Sequence, residues 1–375
     1  MSTRADVIII GGGIVGSAAA YYLCRQGIKP LVLERKCMGD GGSSRNAGGV
    51  RQSARDVREL PLAMYAVRHI WPTLTEELGV DIEYEQKGNL RLGKTPEHLE
   101  KLRKLTDSCC KMGLDMVMLD SQQAHELNPY MSDEVVGAAW CPSDGHANPL
   151  KATLGFYKRA RELGAHFITG EEAAALKQQR GRIAQVVTDH GSVYESDHIV
   201  VAAGFESRDI LNTVGIDIPM RKKLIECLVT EAVPQMFDMM LGVATADFYG
   251  HQTHHGSFVF GGGAGFGNYY DFQEDVYSTS MTPPVICRSV LRYFPLLENV
   301  KIVRSWAGWE DESQDGVPVV GAIEEIPGLY TACGFTGHGF GIGPMVGYEL
   351  ANLIGKGKSE LDLSALRYNR FLPKK

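Results

Sequence analysis

The 375-residue sequence lacks the marks of several large classes of protein. No apolar run approaches the roughly 18 residues that cross a bilayer, and no signal-peptide core precedes the first strand. The eight cysteines form no C-x-x-C pair, so neither a zinc site nor an iron–sulfur cluster is indicated. The net charge of −7 and the lack of a basic stripe argue against nucleic-acid binding. We expect a cytoplasmic chain with reduced thiols and no transmembrane segment.

The N-terminal segment alternates between strand and helix. An apolar run at 7–10 is followed by Gly11-Gly12-Gly13-Ile14-Val15-Gly16, a helical pattern and a second apolar run at 31–33. In this setting a G-x-G-x-x-G motif lets a pyrophosphate approach the backbone, and the helix N-terminus offers unpaired N–H groups to it. Glu34 follows at about the 20-residue distance at which an acid binds a ribose diol. The segment predicts a βαβ unit that binds an adenine dinucleotide.

FAD and NAD share this fingerprint, so the residues that follow must decide between them. The loop at 41–51 is rich in small residues and donors, which suits a cofactor that extends past the pyrophosphate along a ribityl chain. The alternative is a mobile surface loop. The predicted cofactor contacts are Gly11, Gly13, Ile14, Val15, Gly16, Glu34, Arg35, Ser43, Ser44, Arg45, Asn46, Ala47, Gly48, Gly49, Val50, Ala173, Ala203 and Gly204.

The remaining pattern predicts two discontinuous domains. A helical pattern from about Asp56 to Leu78 is interrupted at Pro72, and residues 221–310 carry long alternating runs typical of an antiparallel sheet. We predict an α/β chain with a Rossmann-like dinucleotide-binding domain and an α+β domain built on an antiparallel sheet. The first domain takes residues 1–80, 145–215 and 318–375, and the second takes 81–144 and 216–317.

Three segments near the C-terminus carry a more specific signal: Trp306-Ala-Gly-Trp-Glu, Asp315-Gly-Val-Pro-Val-Val-Gly321, and Gly328-Leu-Tyr-Thr-Ala-Cys-Gly-Phe-Thr-Gly-His-Gly339. With the N-terminal fingerprint they resemble the D-amino-acid oxidase, glycine oxidase and sarcosine oxidase family, the DAO family. The resemblance implies a glutathione-reductase-type FAD fold and hydride transfer from the carbon beside an amine to flavin N5. The flavin-linking histidine of some relatives would fall near Leu150, so we expect FAD to be bound without a covalent link.

The resemblance also implies where substrate and flavin would lie. Gly337-His338-Gly339-Phe340-Gly341 would present N–H groups and a helix start to the flavin N1–C2=O edge, where reduced flavin gathers negative charge. The His338 side chain either contacts the cofactor or packs beside this turn. Tyr249 matches the substrate-facing tyrosine of the family by its distance from Gly256.

The sequence departs from the family at the substrate carboxylate. Glycine oxidase and D-amino-acid oxidase have an arginine directly after the W-x-G-x element, where this chain has Glu310. A carboxylate side chain cannot clamp a carboxylate. Arg51 or Arg304 supplies the cation, or the substrate brings a positive group to Glu310, or Glu310 is solvated or ion-paired at the rim. The candidate catalytic residues are Tyr249, His338, Glu310 and Arg51.

Chain length, the loop at 43–51 and the missing arginine are most similar to catalytic β subunits of multi-subunit amine dehydrogenases. Examples are proline or hydroxyproline dehydrogenase, opine oxidase and the hydrogen cyanide synthase flavoprotein. The resemblance implies oxidation of the CH–NH bond of a small secondary or cyclic amino acid, with electrons leaving through α/γ-type partner subunits that carry FMN or an iron–sulfur cluster. Alternatives are a stand-alone oxidase that makes peroxide, a non-catalytic flavin or electron-transfer subunit, and an NAD-dependent dehydrogenase, which the C-terminal turn disfavours.

A histidine-rich stretch contains His251, His254 and His255. These residues fall at a predicted hairpin tip and lack nearby carboxylates in the sequence. We therefore expect a solvated turn there and no metal site.

Overall fold

The computed structural model describes residues 3–263 and 276–372. Within them the strands are β1 (Thr3–Arg4), β2 (Ile8–Ile10), β3 (Leu31–Glu34), β4 (Gly49–Val50), β5 (Asn89–Gly93), β6 (Val117–Asp120), β7 (Gly137–Cys141), β8 (Gly145–His146), β9 (His166–Thr169), β10 (Ala173–Gln179), β11 (Arg182–Thr188), β12 (Val193–Glu195), β13 (Ile199–Val201), β14 (Met220–Ala232), β15 (Met240–Val243), β16 (Tyr249–Gln252), β17 (Ser257–Gly262), β18 (Ile302–Ser313), β19 (Val319–Ala322) and β20 (Leu329–Cys333). The α-helices are α1 (Ile14–Arg25), α2 (Leu60–Tyr65), α3 (Leu74–Leu78), α4 (Pro96–Lys111), α5 (Ser121–Leu127), α6 (Pro149–Glu162), α7 (Ser207–Asn212), α8 (Thr282–Tyr293) and α9 (Gly339–Lys356). Among these described helices, none has the length and apolar character needed to cross a membrane.

A six-stranded sheet forms one half of the structure, with the order β19-β20-β13-β2-β3-β9. All of its strands run parallel except β19, which pairs antiparallel with β20. The central strands β2 and β13 are buried along their whole length, as expected where helices cover both faces of a parallel sheet. The predicted βαβ unit is confirmed, because β2 and β3 pair in parallel with α1 between them.

Helix α9 lies against α1 at very close range. A Cβ atom added to Gly347 would be 2.6 Å from the Ala18 Cβ, and one added to Gly343 would be 2.7 Å from the Ile14 side chain. The buried Trp71 indole donates a hydrogen bond of 2.8 Å to the Gly341 carbonyl oxygen near the start of α9. These contacts fix the start of α9 beside the start of α1, at one edge of the sheet.

The other large layer is an eight-stranded sheet with the order β18-β14-β17-β16-β15-β5-β7-β6. Most pairs are antiparallel, which confirms the pattern predicted for residues 221–310, while β15 and β5 pair in parallel. A four-stranded sheet, β1-β12-β11-β10, and the pair β4-β8 complete the strands described. The predicted domain boundaries stay a prediction, and part of the second domain, 264–275, lies outside the described residues.

The interrupted helix predicted before residue 78 is present in pieces. It begins at Leu60 rather than near Asp56, and a π-helical turn at Ala66–Ile70 and a 3-10 turn at Trp71–Thr73 separate α2 from α3. Pro72 lies in the 3-10 turn, where its missing N–H group breaks the α-helical hydrogen-bond pattern.

Substitution of Gly347 tests the contact between α1 and α9. We expect Gly347→Ala to destabilise the fold by about 1–3 kcal/mol, because its methyl group would overlap Ala18 and the backbone of Ala19. Gly355→Ala is the matched control on the same helix, since its methyl group meets chiefly the movable end of Gln26. Thermal unfolding followed by circular dichroism measures both. An equal loss in the two variants would contradict this account of the contact.

Candidate active site

A cavity of about 1230 Å³ lies where the two large sheets meet. Its first wall contains the ends of β2 and β3, the residues after β13, and the start of α9. Its second wall contains side chains from β5, β14, β16 and β18. The carboxyl ends of parallel strands are the usual ligand-binding edge of such a sheet, so this cavity is the candidate site.

The glycine motif forms a cradle at the nucleotide end of the cavity. Gly11 has a φ of +109°, and a Cβ atom on it would lie 2.3 Å from the Ala202 carbonyl oxygen. A Cβ atom on Gly13 would lie 2.8 Å from the Ser43 hydroxyl, which accepts a hydrogen bond from the Ile14 N–H. Only glycine therefore leaves the backbone open at the N-terminus of α1, where the helix dipole favours an anion. The residues present fit a dinucleotide phosphate.

Glu34 lies beside this cradle, at the end of β3 and in the cavity wall. One carboxylate oxygen accepts a hydrogen bond of 2.8 Å from the Gly12 N–H, and the other accepts one from the Lys36 N–H. These two bonds fix the carboxylate in position while a carboxylate oxygen can accept further bonds. Its placement agrees with that of an acid that binds a ribose diol.

Most of the predicted cofactor contacts do lie in the cavity wall: Gly11, Gly13, Ile14, Val15, Glu34, Arg35, Ser43, Arg45, Asn46, Ala47, Gly49, Ala173, Ala203, Gly204, Gly337, His338, Gly339, Phe340 and Gly341. Four lie elsewhere, namely Gly16, Ser44, Gly48 and Val50. Gly16 serves the contact of helix and strand, because a Cβ atom there would be 2.0 Å from the Gly11 carbonyl oxygen. Val50 is fully buried in β4.

The turn before α9 is held in place by Asp311. Its carboxylate accepts a hydrogen bond of 2.7 Å from the Gly334 N–H, and its carbonyl oxygen accepts one from the Thr336 N–H. Burial raises the pKa of Asp311 to about 6, although backbone N–H donors oppose the rise. Sequence analysis assigned no role to Asp311. Its role in bracing this turn depends on contacts that the local pattern does not show.

A buried network connects the same turn to α2. Arg55 and Glu59 form an ion pair of 3.2 Å whose side chains are almost wholly buried. The Arg55 guanidinium also donates to the carbonyl oxygens of Arg51 and His338. Burial would raise the pKa of Glu59, yet the charge of Arg55 and the hydrogen bond from His338 lower it overall. Sequence analysis did not single out either member of this pair.

The His338 imidazole lies 2.7 Å from Glu59 through Nδ1. Burial lowers the pKa of His338, although Glu59 opposes this shift, so the ring is neutral near pH 7. Since the ionised Glu59 only accepts hydrogen bonds, Nδ1 carries the proton and Nε2 is left as an acceptor. His338 therefore packs beside the turn and also lines the cavity, and its contact with the cofactor stays a prediction.

Two arginines enter the cavity without an ion-pair partner among the described residues. Arg51 and Arg91 both line the wall, and neither guanidinium has a hydrogen-bond or ion-pair partner within residues 3–263 and 276–372. Burial, and then the charge of Arg51, lower the pKa of Arg91 to about 10. The nearby Asp144 carboxylate is occupied by other donors, including a bond of 2.6 Å from the Gln52 N–H. The pair therefore presents positive charge that a bound anion can neutralise.

Sequence analysis did not identify Arg91. It named Arg304 as a possible cation for the substrate carboxylate, and the structure contradicts this. Arg304 is exposed on β18, stacks over Trp306 and does not line the cavity. Arg91 lies in β5 opposite Gly242 on β15, and the arginine side chain covers that glycine. In the sequence, Arg91 is recognisable only as an arginine between two leucines in a short strand. This pattern does not indicate a ligand.

Glu310 and Tyr249 form another part of the second wall. Burial raises the pKa of Glu310 to about 7, with Lys223 opposing the shift, and no hydrogen bond to its carboxyl group is found among the described residues. Tyr249 lies against Gly261 on β17, because a Cβ atom on that glycine would be 2.7 Å from the tyrosine hydroxyl. Burial raises the pKa of Tyr249 well above its usual value, so the phenol is neutral.

The histidine-rich stretch differs from its prediction. His251 is buried rather than solvated and stacks on His146 at 3.9 Å between ring centroids. His254 and His255 are exposed, and Glu83 comes close enough that one ligand atom from each of these three residues lies within 4.8 Å of the others. The fold therefore brings a carboxylate to two of these histidines, although none lies near them in the sequence. Both Glu83 oxygens already accept hydrogen bonds, one from Lys151 and one from Asn148.

Comparison with known proteins agrees with this geometry. Residues 6–353 match the family model of DAO, FAD dependent oxidoreductase. The B subunit of opine oxidase from Rhizobium meliloti is 28% identical over 98% of this chain and 97% of its own. The beta subunit of sarcosine oxidase from Rhodobacter capsulatus is 24% identical over 96% of this chain and 86% of its own.

Solved structures give the same result. L-proline dehydrogenase from P. horikoshii superposes with a TM-score of 0.90 at 28% identity, over 99% of this chain and 98% of its own. Glycine oxidase from Geobacillus kaustophilus has the same fold, with a TM-score of 0.91 at 22% identity over 99% of this chain and 100% of its own. The fold class and family predicted from the sequence motifs are confirmed. The chain belongs to the DAO family of FAD-dependent oxidoreductases.

Proposed function

We propose that the chain oxidises the CH–NH bond of a small amino acid, most suitably one with a secondary or cyclic amine. The observation that carries this proposal is the charge pattern of the cavity. Within the described residues, Arg51 and Arg91 offer two cations that form no ion pair, and Glu310 offers a carboxyl group without a bonded cation. An amino acid carries a carboxylate and an amine, and it therefore complements both groups.

The FAD would lie extended through the cavity, from the glycine cradle at the start of α1 to the turn before α9. The cradle at Gly11 and Gly13, with the N-terminus of α1, would hold the pyrophosphate, and Glu34 would bind the ribose. The turn at 337–341 would place backbone N–H groups and the start of α9 at the flavin end. FAD, when bound, supplies the hydride acceptor. The remaining functions, which are binding, orientation and exclusion of water, belong to the residues of this chain.

The carboxylate of the substrate would bind between Arg51 and Arg91. Three arginines and two acidic residues lie in this region: Arg51, Arg55, Arg91, Glu59 and Asp144. One uncompensated positive charge remains, which a single carboxylate neutralises. Tyr249 would form a further part of the substrate pocket in the second wall, and neutral His338 would offer an acceptor beside the turn.

We further propose that the chain is the catalytic subunit of a larger dehydrogenase. Two similar proteins are named as parts of multi-subunit enzymes, the B subunit of opine oxidase and the beta subunit of sarcosine oxidase. Partner subunits with FMN or an iron–sulfur cluster would then receive the electrons. The alternatives of a stand-alone oxidase and of a non-catalytic flavin subunit differ in what the purified chain does with substrate and air.

An anaerobic titration of the purified flavoprotein tests the function. We expect proline, hydroxyproline, sarcosine or an opine to bleach the flavin absorbance, and we expect slow recovery in air with little peroxide. Rapid recovery with stoichiometric peroxide would identify a stand-alone oxidase instead. A flavin that none of these compounds, glycine or D-amino acids reduces would contradict the proposed function.

Gly13→Asp tests the position of the cofactor. Its side chain would enter the space beside Ser43 and place a negative charge against the pyrophosphate, so we expect the variant to purify almost without FAD. Asn299→Asp is the control, because it adds the same charge at an exposed position outside the cavity wall. The ratio of flavin to protein absorbance measures both. Full flavin content in Gly13→Asp would show that the nucleotide lies elsewhere.

Arg91→Leu tests the carboxylate site. Loss of a hydrogen bond to a charged group costs about 1.5–3 kcal/mol, so we expect the Kd of a non-oxidisable carboxylate analogue to rise roughly 10–150-fold. Arg91→Lys should recover part of the loss, and the exposed Arg304→Ala should match the wild type. Perturbation of the flavin spectrum by the analogue reports binding without turnover. Unchanged binding in Arg91→Leu would exclude Arg91 from the site.

A further inference from the structure

Glu310 has an unusual setting in the second wall of the cavity. In the pairing of β14 with β18, Glu310 lies directly opposite Lys223. The Lys223 ammonium nevertheless lies 3.6 Å from Glu312, which also receives Arg221 at 3.3 Å. Glu312 therefore forms the ion pairs with Arg221 and Lys223. The carboxyl group of Glu310 is left facing the cavity without a hydrogen bond among the described residues.

The position of this carboxyl group is restricted by the turn before α9. A Cβ atom on Gly337 would lie 2.1 Å from the nearer Glu310 oxygen. Gly337 has a φ of +76°, so both its conformation and its lack of a side chain allow the carboxyl group to approach. Glu310 thus lies against the same turn that lines the proposed flavin end, at a place where a substrate amine would pass.

We propose that Glu310 accepts the proton that the substrate amine must lose before hydride transfer. The proposal rests on the proposed function. An amino acid in water carries a protonated amine, whose nitrogen has no free electron pair. The Glu310 carboxylate takes one N–H proton and becomes a carboxylic acid, and the N–H electron pair stays on nitrogen. The α-C–H bond then breaks with its electron pair, which leaves as hydride to the oxidised FAD of the proposed function, and the nitrogen pair forms the C=N bond of the iminium product.

The surroundings of Glu310 suit this role. Burial raises its pKa to about 7, and the charges of Asp311 and Glu312 add to the rise while Lys223 opposes it. A base with a pKa near the working pH combines a sizeable ionised fraction with useful proton affinity. The titratable and charged groups around it are Lys223 and Cys227 on β14, Tyr249 on β16, Asp311 and Glu312 on β18, and His338 in the turn.

The expected pH dependence follows from the direction of this shift. The carboxylate, which is the active form, predominates above about pH 7 and is protonated below it. The limiting rate of flavin reduction should therefore fall as the pH drops through this range. Deprotonation of the substrate itself produces a separate change at higher pH.

The closing experiment measures anaerobic flavin reduction by stopped flow across pH 5–10 (roughly the range in which a base near neutrality titrates), using the substrate that bleaches the wild type. Glu310→Gln keeps the shape of the side chain but cannot take a proton. We expect its limiting rate of flavin reduction to fall about 10²–10⁴-fold and to lose its decrease at low pH, which we call the acid limb. Binding of the amine-free carboxylate analogue should not change. Glu310→Asp should restore an acid limb, and the remote Glu231→Gln on β14 should behave as wild type.

Glu312→Gln provides a second variant that keeps Glu310 intact. It removes one negative neighbour and releases Lys223, so the acid limb should move to lower pH. The proposal would be overturned if Glu310→Gln kept the decrease in rate at low pH and a limiting rate within about threefold of wild type. It would also be overturned if Glu312→Gln did not shift the pH at which this decrease occurs. Wild-type flavin that no amino acid reduces would overturn the proposed function and this role together, whereas a reducible wild type with an unaffected Glu310→Gln would overturn only the role.

Discussion

The close contact between α1 and α9 is the constraint on which the site depends. Gly343 and Gly347 allow the two helices to approach until their backbones and small side chains touch. Since both helices begin at the same edge of the six-stranded sheet, their N-termini open on one cavity although more than 300 residues separate them in the chain. Two positive helix ends thus lie in one cavity, which suits an elongated ligand with negative charge at separated positions.

Charge in the cavity is arranged by selective pairing. Arg55 and Glu59 form a buried ion pair, and Glu59 also bonds to His338. Lys223, which lies opposite Glu310, pairs with Glu312 instead. In the described part of the chain, the charged side chains of Arg51, Arg91 and Glu310 are left without a bonded partner, and all three line the cavity. Buried charges without partners are costly, so they persist where a ligand completes them.

Local sequence patterns predicted the fold class, and most of the residues predicted to contact the cofactor line the cavity, while their contact with FAD stays a prediction. The βαβ unit, its glycine motif and Glu34 follow one another along the chain, so their spacing alone determines how they meet. Arg91 could not be found in this way, because its place beside Arg51 depends on how β5 pairs with β15. The errors at Arg304 and His251 have the same origin, because the neighbouring residues in the sequence do not show whether either side chain is buried. The pairing of strands in the sheet leaves Arg304 exposed and buries His251.

The order of strands in the six-stranded sheet has a consequence for biosynthesis. β2 and β3 leave the ribosome early, yet β13 and β20, which complete one side of the sheet, are made about 190 and 320 residues later. Until then the β2 edge has unpaired backbone groups, and such edges promote association between nascent chains. The binding cleft is complete only once α9 has been synthesised, so the full set of cavity residues is not available to a cofactor until both large sheets have been made.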